Sequence, residues 1–345
     1  MFKIEINAIP VIMSKFFGAG DKDNILAAVE GATRVVFIDT PSTPHLVATI
    51  ETLISRGVEV VVRDNHDDPA PRNPRQQETA DAEACVRELV GGNATISNRA
   101  THPACSGLIE VGEFSGEGTA IVADPDPDGL TAAMKAVGVV YDGIDADAAV
   151  LDGPHSGQNA DTLSPTGFLL VQGMATLPPF NKDRPQVSED AKSKLFADFA
   201  AAVTGNEAAM VGLQSKVAEY NAQVAVALDL VKTAEPVVVD KVCAVDIRGK
   251  HPHIGTLAAE LDKSWVVTVL IKGDGPIAKA CGGAQYSLSV RKADQTKVNL
   301  QALLPEGFES SPAAGIISNT SFLLHVSENV WNETVLPALT VRLGV

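Results

Sequence analysis

The sequence predicts an α/β protein with three parts: an N-terminal domain on a parallel sheet, a helical connector, and a smaller mixed α/β C-terminal domain. Three observations predict it. Residues 24–66 alternate helix-like segments with continuously apolar strand-like ones, the strand-to-helix unit recurs at 118–138, and after Ala234 the pattern changes to alternating, β-branched runs. Apolar strands separated by short helices indicate a parallel sheet covered on both faces, whose ligands sit at the carboxyl ends of the strands.

In chain order, Asp23 or Asn24 can cap ILAAVEGA, and RVVFID reads as a buried strand. Pro44 to Arg56 carries an apolar face of Leu46, Ile50, Leu53 and Ile54, and VEVVVRD is a second buried strand. The polar, proline-rich DDPAPRNPRQQETAD reads as a surface loop before the helix DAEACVRELVGG. GTAIVADPDPDGLTAAMKAVG gives a strand, an acidic turn and a helix, and DADAAVLDGPHSG reads as a further strand ending in Asp152 and Gly153. A Pro-rich break, LPPFNKDRPQ, precedes two helical segments, VSEDAKSKLFADFAAAV and EAAMVGLQSKVAEYNAQVAVALDLVKT. The strands EPVVVDKVCAVDI, SWVVTVLIKG, AQYSLSVRK, TKVNLQALL and SFLLHVSENVW follow. The expected limits are 1–180 for the first domain, 181–234 for the connector and 235–345 for the second domain, with no internal repeat of solenoid period.

Composition narrows the function classes. The 345 residues carry 27 basic and 43 acidic side chains, a formal net charge of −16, which weakens the case for tight nonspecific duplex binding. A polyanionic partner would be met through a local basic patch or bound metal ions. No apolar run approaches the roughly 18–20 residues of a membrane helix, and the first residues lack the basic region and cleavage site of a signal peptide, so a cytoplasmic protein is expected. Cys85, Cys105, Cys243 and Cys281 have no C-x-x-C spacing and read as reduced thiols.

The sharpest motif is Asp124-Pro-Asp126-Pro-Asp128-Gly129, three carboxylates at every second position between a hydrophobic strand and a helix. Alternate residues of an extended turn point the same way, and their mutual repulsion calls for a cation. Mg²⁺ or Mn²⁺ suits such a set, because hard divalent ions take oxygen ligands and can also hold a phosphate. The plainer alternatives are an acidic turn with a helix cap, or a calcium loop, although LTAAM follows Gly129 where a calcium loop needs further ligands. Asp39 in VVFIDTPSTP and His66 in VVVRDNHDDP also follow apolar strands; alone, Asp39 reads as a helix cap and His66 as a surface histidine. With Asp126 and Asp128 they form an Asp/Asp/Asp/His set at the strand ends of one sheet, a constellation suited to a one- or two-metal phosphoesterase.

The combination of D-x-D-x-D-G after a strand, a strand ending in I-D-T and a strand ending in D-N-H resembles the DHH phosphoesterase superfamily, which includes RecJ-like exonucleases, nano-RNases and cyclic-dinucleotide phosphodiesterases. KHPHIGTLAAEL and GGAQYSLSVRK resemble the H-x-G-x-x-A-x-x-L helix entry and the S-x-R strand of the domain associated with DHH, so the resemblance spans most of the chain. Two departures stand out. In the family the D-x-D motif precedes the lone Asp and the DHH motif, whereas here it follows both, which implies a circularly permuted catalytic domain. Asn65 stands where the first histidine of DHH falls, and Ala313-Ala314-Gly315-Ile316 stands roughly where a G-G-H motif is expected.

The resemblance implies metal binding by Asp39, Asp126 and Asp128, with His66 near metal or phosphate, Asn65 as a weaker neutral ligand, and Asp64 orienting its neighbours. Asp126, Asp128, His66 and Asp64 are thus the expected catalytic set. Asp124 and Asp152 are further ligand candidates without a family counterpart. Ser289 and Arg291 would hold a substrate phosphate, with His253, and His251 beside it, lining the cleft; His155, Ser156 and Asn159 are weaker candidates for substrate contact. The expected function is an Mn²⁺- or Mg²⁺-dependent phosphodiesterase or exonuclease, using one or two ions, on single-stranded or short oligonucleotides or dinucleotides between two domains. A second copy of the chain in a homodimer is the other expected partner, and no membrane is expected. Two other readings stand beside it: a DHH-like protein that binds a nucleotide without hydrolysing it, and a phosphatase of pyrophosphate or small phosphomonoesters.

Overall fold

The computed structural model describes residues 1–15, 19–67, 74–152, 162–178, 185–238, 241–272, 284–291, 294, 299, 302, 314–317 and 321–344. The chain divides into two compact units, Met1–Val217 and Ala218–Val345.

The first unit is built on a six-stranded sheet of β1 (Phe2–Ile6), β2 (Ile9–Met13), β3 (Arg34–Ile38), β4 (Glu59–Asp64), β5 (Ala94–Ile96) and β6 (Thr119–Ala123). Its spatial order is β1-β2-β6-β3-β4-β5, with β1 antiparallel to β2 and every other pairing parallel. The helices are α1 (Ala19–Ala28), α2 (Pro44–Ser55), α3 (Pro74–Val90), α4 (Pro127–Ala136), α5 (Ile144–Leu151), α6 (Pro165–Ala175), α7 (Pro185–Val203) and α8 (Glu207–Val231), the last crossing into the second unit. Successive strand residues serve opposite faces. Val35 and Phe37 pack with Ile25, Leu46 and Ile50, whereas Val36 and Ile38 pack with Met134, Phe196 and Phe199. Two buried faces are why β3, β4 and β6 read as unbroken apolar runs.

The second unit carries β7 (Glu235–Val238), β8 (Val242–Asp246), β9 (Val267–Lys272), β10 (Ala284–Val290), β11 (Ala314–Ile317) and β12 (Ser321–Val326), in the order β11-β12-β10-β9-β8-β7. Only β8 and β9 run parallel among these pairings, and α9 (Ile254–Leu261) makes the crossover between them. Leu257 and Leu261 of α9 pack against Cys243, Val245 and Leu270. On the other face, Tyr286 stacks on Trp331 with ring centroids 4.3 Å apart.

Several elements differ from expectation. The stretch expected as a strand ending in Asp152 is instead the helix α5, Ile144–Leu151, with Asp152 as its C-cap. Alternating alanines and aspartates lack the β-branched density of a strand and favour a helix, and Asp147 is held inside by the Ser164 backbone N–H at 2.7 Å and by its hydroxyl. The helix α3 starts at Pro74, inside the stretch expected to be loop, with proline at its first position. SFLLHVSENVW is a strand only to Val326, because Ser327 accepts from Val330 N and caps a helical stretch that passes through a π-helical turn, Trp331–Val335, into α10 (Leu336–Gly344). The β1–β2 hairpin turns on Asn7 and Ala8, both at positive φ, without the Asn-Gly pair that would have advertised it. Most of TKVNLQALL and of the Pro-rich break lies outside the described residues. Among those described, no helix is long and apolar enough to cross a membrane.

Candidate metal centre

The order β6-β3-β4 sets the site. In register, Ile38 stands opposite Ala123 on one side and Arg63 on the other, so the residues that follow, Asp39, Asp124 and Asp64, leave the sheet at one level. Asp39 still donates its backbone N–H to Arg63 O at 2.9 Å, then turns the chain with φ +56°, a conformation that aspartate tolerates better than most side chains. Asp126 caps α4 by accepting from Gly129 N at 3.1 Å, with Pro127 in the first position, and Asp128 lies in the first turn. The residue at 129 must be glycine for want of space: a Cβ there would lie 2.4 Å from Asp124 O and 3.0 Å from Asp126 Oδ1.

Two groups of side chains result, both containing Asp39. The ligand atoms of Asp39, Asp126 and Asp128 all lie within 4.8 Å of one another, as do those of Asp39, Asp64 and His66. Asp39, Asp64 and Asp128 are buried, and Asp39 Oδ1 and Asp128 Oδ2 have no hydrogen-bond partner among the described residues. Orphaned buried carboxylate oxygens are costly unless a proton or a cation meets them. Burial first, and then the charges of Asp126, Asp64, Asp124 and Asp152, push the Asp39 carboxyl well above the usual carboxylate range. Burial, with Asp39, Asp126 and Asp152, pushes Asp128 up to about 11. Asp124 rises to about 7 through burial and Asp126, against Lys15 and His66. A hard divalent cation fits this donor set, since it would supply the positive charge that the carboxylates lack.

On the other side of Asp39, His66 Nδ1 stands 2.6 Å from Asp64 Oδ1 and 3.7 Å from Asp39 Oδ1. Burial alone would lower the imidazole pKa, but the Asp64 charge and hydrogen bond outweigh it and the net shift is upward. Asn65 is buried, with Nδ2 donating to His102 O at 3.2 Å and Oδ1 unpartnered. Asp152 arrives from the end of α5, not from a strand, and is gripped by Arg99 through Nε to Oδ2 at 2.5 Å and Nη2 to Oδ1 at 2.7 Å. Sequence reasoning overlooked Arg99, a lone arginine in the polar segment SNRATHPA with no motif to flag it. It also overlooked Lys192 of α7, which donates to Pro125 O, and Lys15, whose Nζ is 3.9 Å from Asp124 Oδ2.

Ser289, Arg291, His253 and His251 belong to the second unit. Ser289, half-buried on β10, stands in register with Thr268 and Ser321. Arg291 directs Nε to Asp294 Oδ2 at 2.6 Å. His253 caps α9, its Nδ1 accepting from Thr256 N at 3.2 Å, and packs edge-on against Tyr220; His251 is exposed. His155, Ser156 and Asn159 lie outside the described residues.

The chain matches no protein-family model and no curated protein. Among solved structures it is similar to exonuclease RecJ bound to manganese, at 13% identity over 93% of this chain and 76% of that one, with a TM-score of 0.34. The pGpG-specific phosphodiesterase PggH of Vibrio is 12% identical over 91% of this chain and 98% of that one, with a TM-score of 0.39. The DHH domain of a member of the s1p family of ribosomal proteins is 12% identical over 95% and 75%, with a TM-score of 0.33. Likeness this slight carries no argument about activity, which has to come from the residues.

Proposed function

We propose that the chain is a divalent-metal-dependent phosphoesterase of the DHH superfamily with permuted motifs, hydrolysing phosphodiester bonds in single-stranded or short oligonucleotides, dinucleotides included. One observation carries this reading: Asp39, buried and with an unpartnered oxygen, is shared by two groups of potential ligands at the carboxyl ends of adjacent parallel strands. In this reading residues 1–180 are the catalytic domain, 181–234 the connector and 235–345 the substrate-binding domain, with Ser289, Arg291 and His253 as its phosphate-binding candidates.

Asp39, Asp126 and Asp128 would hold the ion, Mn²⁺ or Mg²⁺, with Asp124 beside them. When bound, such an ion supplies Lewis acidity, lowering the pKa of water and neutralising charge on phosphate oxygens. The chain's own residues do the rest. The Asp126 cap and the proline-flanked turn fix the backbone of two carboxylates relative to α4 before any ion is loaded. Asp64 accepts the Nδ1 proton of His66 and locks the ring's orientation. A chain of formal charge −16, whose local cations near the centre among the described residues include Lys15, Lys192 and Arg99, favours short substrates over long duplexes.

Asn65, a neutral residue in the D-N-H motif, favours a second reading in which the centre binds a nucleotide without turning it over. Hydrolysis of a 5′-labelled single-stranded oligonucleotide and of a dinucleotide, each with Mn²⁺, with Mg²⁺ and with chelator, separates the two. Metal-dependent cleavage that is lost in Asp126→Ala is the expected result. Absence of cleavage in a chain that binds Mn²⁺ would select the binding protein or a smaller phosphate substrate, and absence of Mn²⁺ binding would remove the metal centre itself.

A further inference from the structure

We propose that the Arg99 guanidinium takes the place of a second cation, so that the centre loads one divalent ion, at Asp39, Asp126 and Asp128, and completes its positive charge with a side chain that binds the substrate phosphate. This rests on the phosphoesterase reading and deepens it.

The two groups that share Asp39 are not equivalent. On the Asp126/Asp128 side, Asp128 Oδ2 is buried and has no hydrogen-bond partner among the described residues; Asp39 Oδ1, also without one, stands between the two groups, 3.7 Å from His66 Nδ1. On the Asp64/His66 side the ligand atoms are already engaged. Arg99 Nη2 lies 2.9 Å from His66 Nε2, and a guanidinium has only donors, so Nε2 must accept and the ring proton sits on Nδ1, given to Asp64 Oδ1 at 2.6 Å. Both imidazole nitrogens are therefore used, as are an oxygen of Asp64 and both oxygens of Asp152. A metal held here by Asp39, Asp64 and His66 Nδ1 would have to displace the Nδ1 proton that Asp64 accepts, next to a permanently charged guanidinium that repels it. Asn65, also on this side, brings no charge with which to do so.

The placement of Arg99 is built into the backbone. His66 and Asn98 form an antiparallel bridge, Asp67 N donates to Ser97 O at 2.9 Å, and Ser97 N donates to Asp64 O at 2.8 Å. The segment before Arg99 is thus tied to the end of β4, and Asn98 Oδ1 accepts from Thr101 N at 3.1 Å behind it. The charges of Asp39 and Asp128 reach the guanidinium as well as that of Asp152. Nε and Nη2 are spent on Asp152 and His66, while Nη1 makes no hydrogen bond among the described residues and the side chain is 30% exposed. The two N–H donors of Nη1 therefore remain for a phosphate oxygen.

The test is a Mn²⁺ titration of the full chain followed by equilibrium dialysis and electron paramagnetic resonance. One ion per chain, with the spectrum of an isolated Mn²⁺, is expected. Two ions with a spin-coupled spectrum would overturn the inference and leave the phosphoesterase reading standing, whereas no bound Mn²⁺ would overturn that reading. With Mn²⁺ loaded, inorganic phosphate should bind at least tenfold more weakly to Arg99→Gln than to the parent chain, and Arg99→Lys should recover part of the loss. Unchanged phosphate affinity in an Arg99→Gln protein with parental circular dichroism would overturn the phosphate role; should that variant not fold, Arg99→Lys and the parent ion count decide.

Discussion

Asp39 and Asp128 reach the same point from two parts of the chain, one from the end of β3 and one from the first turn of α4, and each is buried with an oxygen that no donor meets. Without a cation, such a pair stays folded by holding protons. The Asp128 carboxyl, pushed up to about 11, and Asp124, pushed up to about 7, bind protons in the folded chain that the unfolded chain releases near pH 4. The folded state therefore holds more protons over that window, and stability must fall as pH rises. The metal-free chain is expected to lose melting temperature steadily from pH 5 to pH 8, and Mn²⁺ should restore it most at the alkaline end while releasing protons. Asp128→Asn, which mimics the protonated carboxyl, should melt several degrees higher than the parent at pH 8 without metal and show a shallower slope. A metal-free melting temperature that rises across this range would contradict the buried, crowded carboxylates.

Asp39→Asn isolates charge from backbone. At φ +56° asparagine is as acceptable as aspartate, while alanine would add strain of about 1 kcal/mol. The asparagine variant should keep its circular dichroism, bind Mn²⁺ at least a hundredfold more weakly and lose more than 99% of any metal-dependent cleavage. Calorimetry and the oligonucleotide assay check both, and retained Mn²⁺ affinity would remove Asp39 from the centre.

Gly129→Ala tests the turn. The added Cβ would sit 2.4 Å from Asp124 O, a backbone atom with little freedom, and 3.0 Å from the Asp126 oxygen that caps α4. Relief requires the Asp124–Asp126 turn to move, so Mn²⁺ affinity should drop at least tenfold. Loss of the cap adds about 1 kcal/mol of destabilisation. A variant with parental affinity would mean that the turn is not pre-set for the ion.

What was legible in the sequence follows from how local each signal is. The strands β3, β4 and β6 announce themselves because both faces of the sheet are covered, and D-P-D-P-D-G announces itself because its carboxylates are close in sequence. Asp152 stands at the end of a helix where a strand is expected: Ala-Asp alternation looks like strand period, and the buried Asp147–Ser164 contact favours the helix. Arg99 was invisible because nothing in SNRATHPA signals a pairing with His66, 33 residues earlier, that depends on the β4–β5 neighbourhood and a single backbone bridge. Lys192 was invisible for the same reason, standing on a helix 67 residues after the carbonyl it caps.

Lys192 offers a prediction in which two effects separate by sign. Its ammonium donates to Pro125 O inside the acidic turn and lies over the Phe196 ring, and burial lowers its pKa while Asp126 and Asp124 support its charge. In the metal-free chain that charge offsets carboxylate repulsion, and a bound cation must share the space with it. Lys192→Met keeps the aliphatic bulk over Phe196 and removes charge and donor together. The metal-free chain should then lose about 1.5–3 kcal/mol of stability, the range for a hydrogen bond to a charged group. Mn²⁺ affinity should rise severalfold at low ionic strength, because one competing positive charge has gone, and the gain should shrink as salt screens what remains. A Mn²⁺ affinity that falls in parallel with stability would instead mean that the tie to Pro125 holds the carboxylates in register, and that its geometry outweighs the repulsion of its charge.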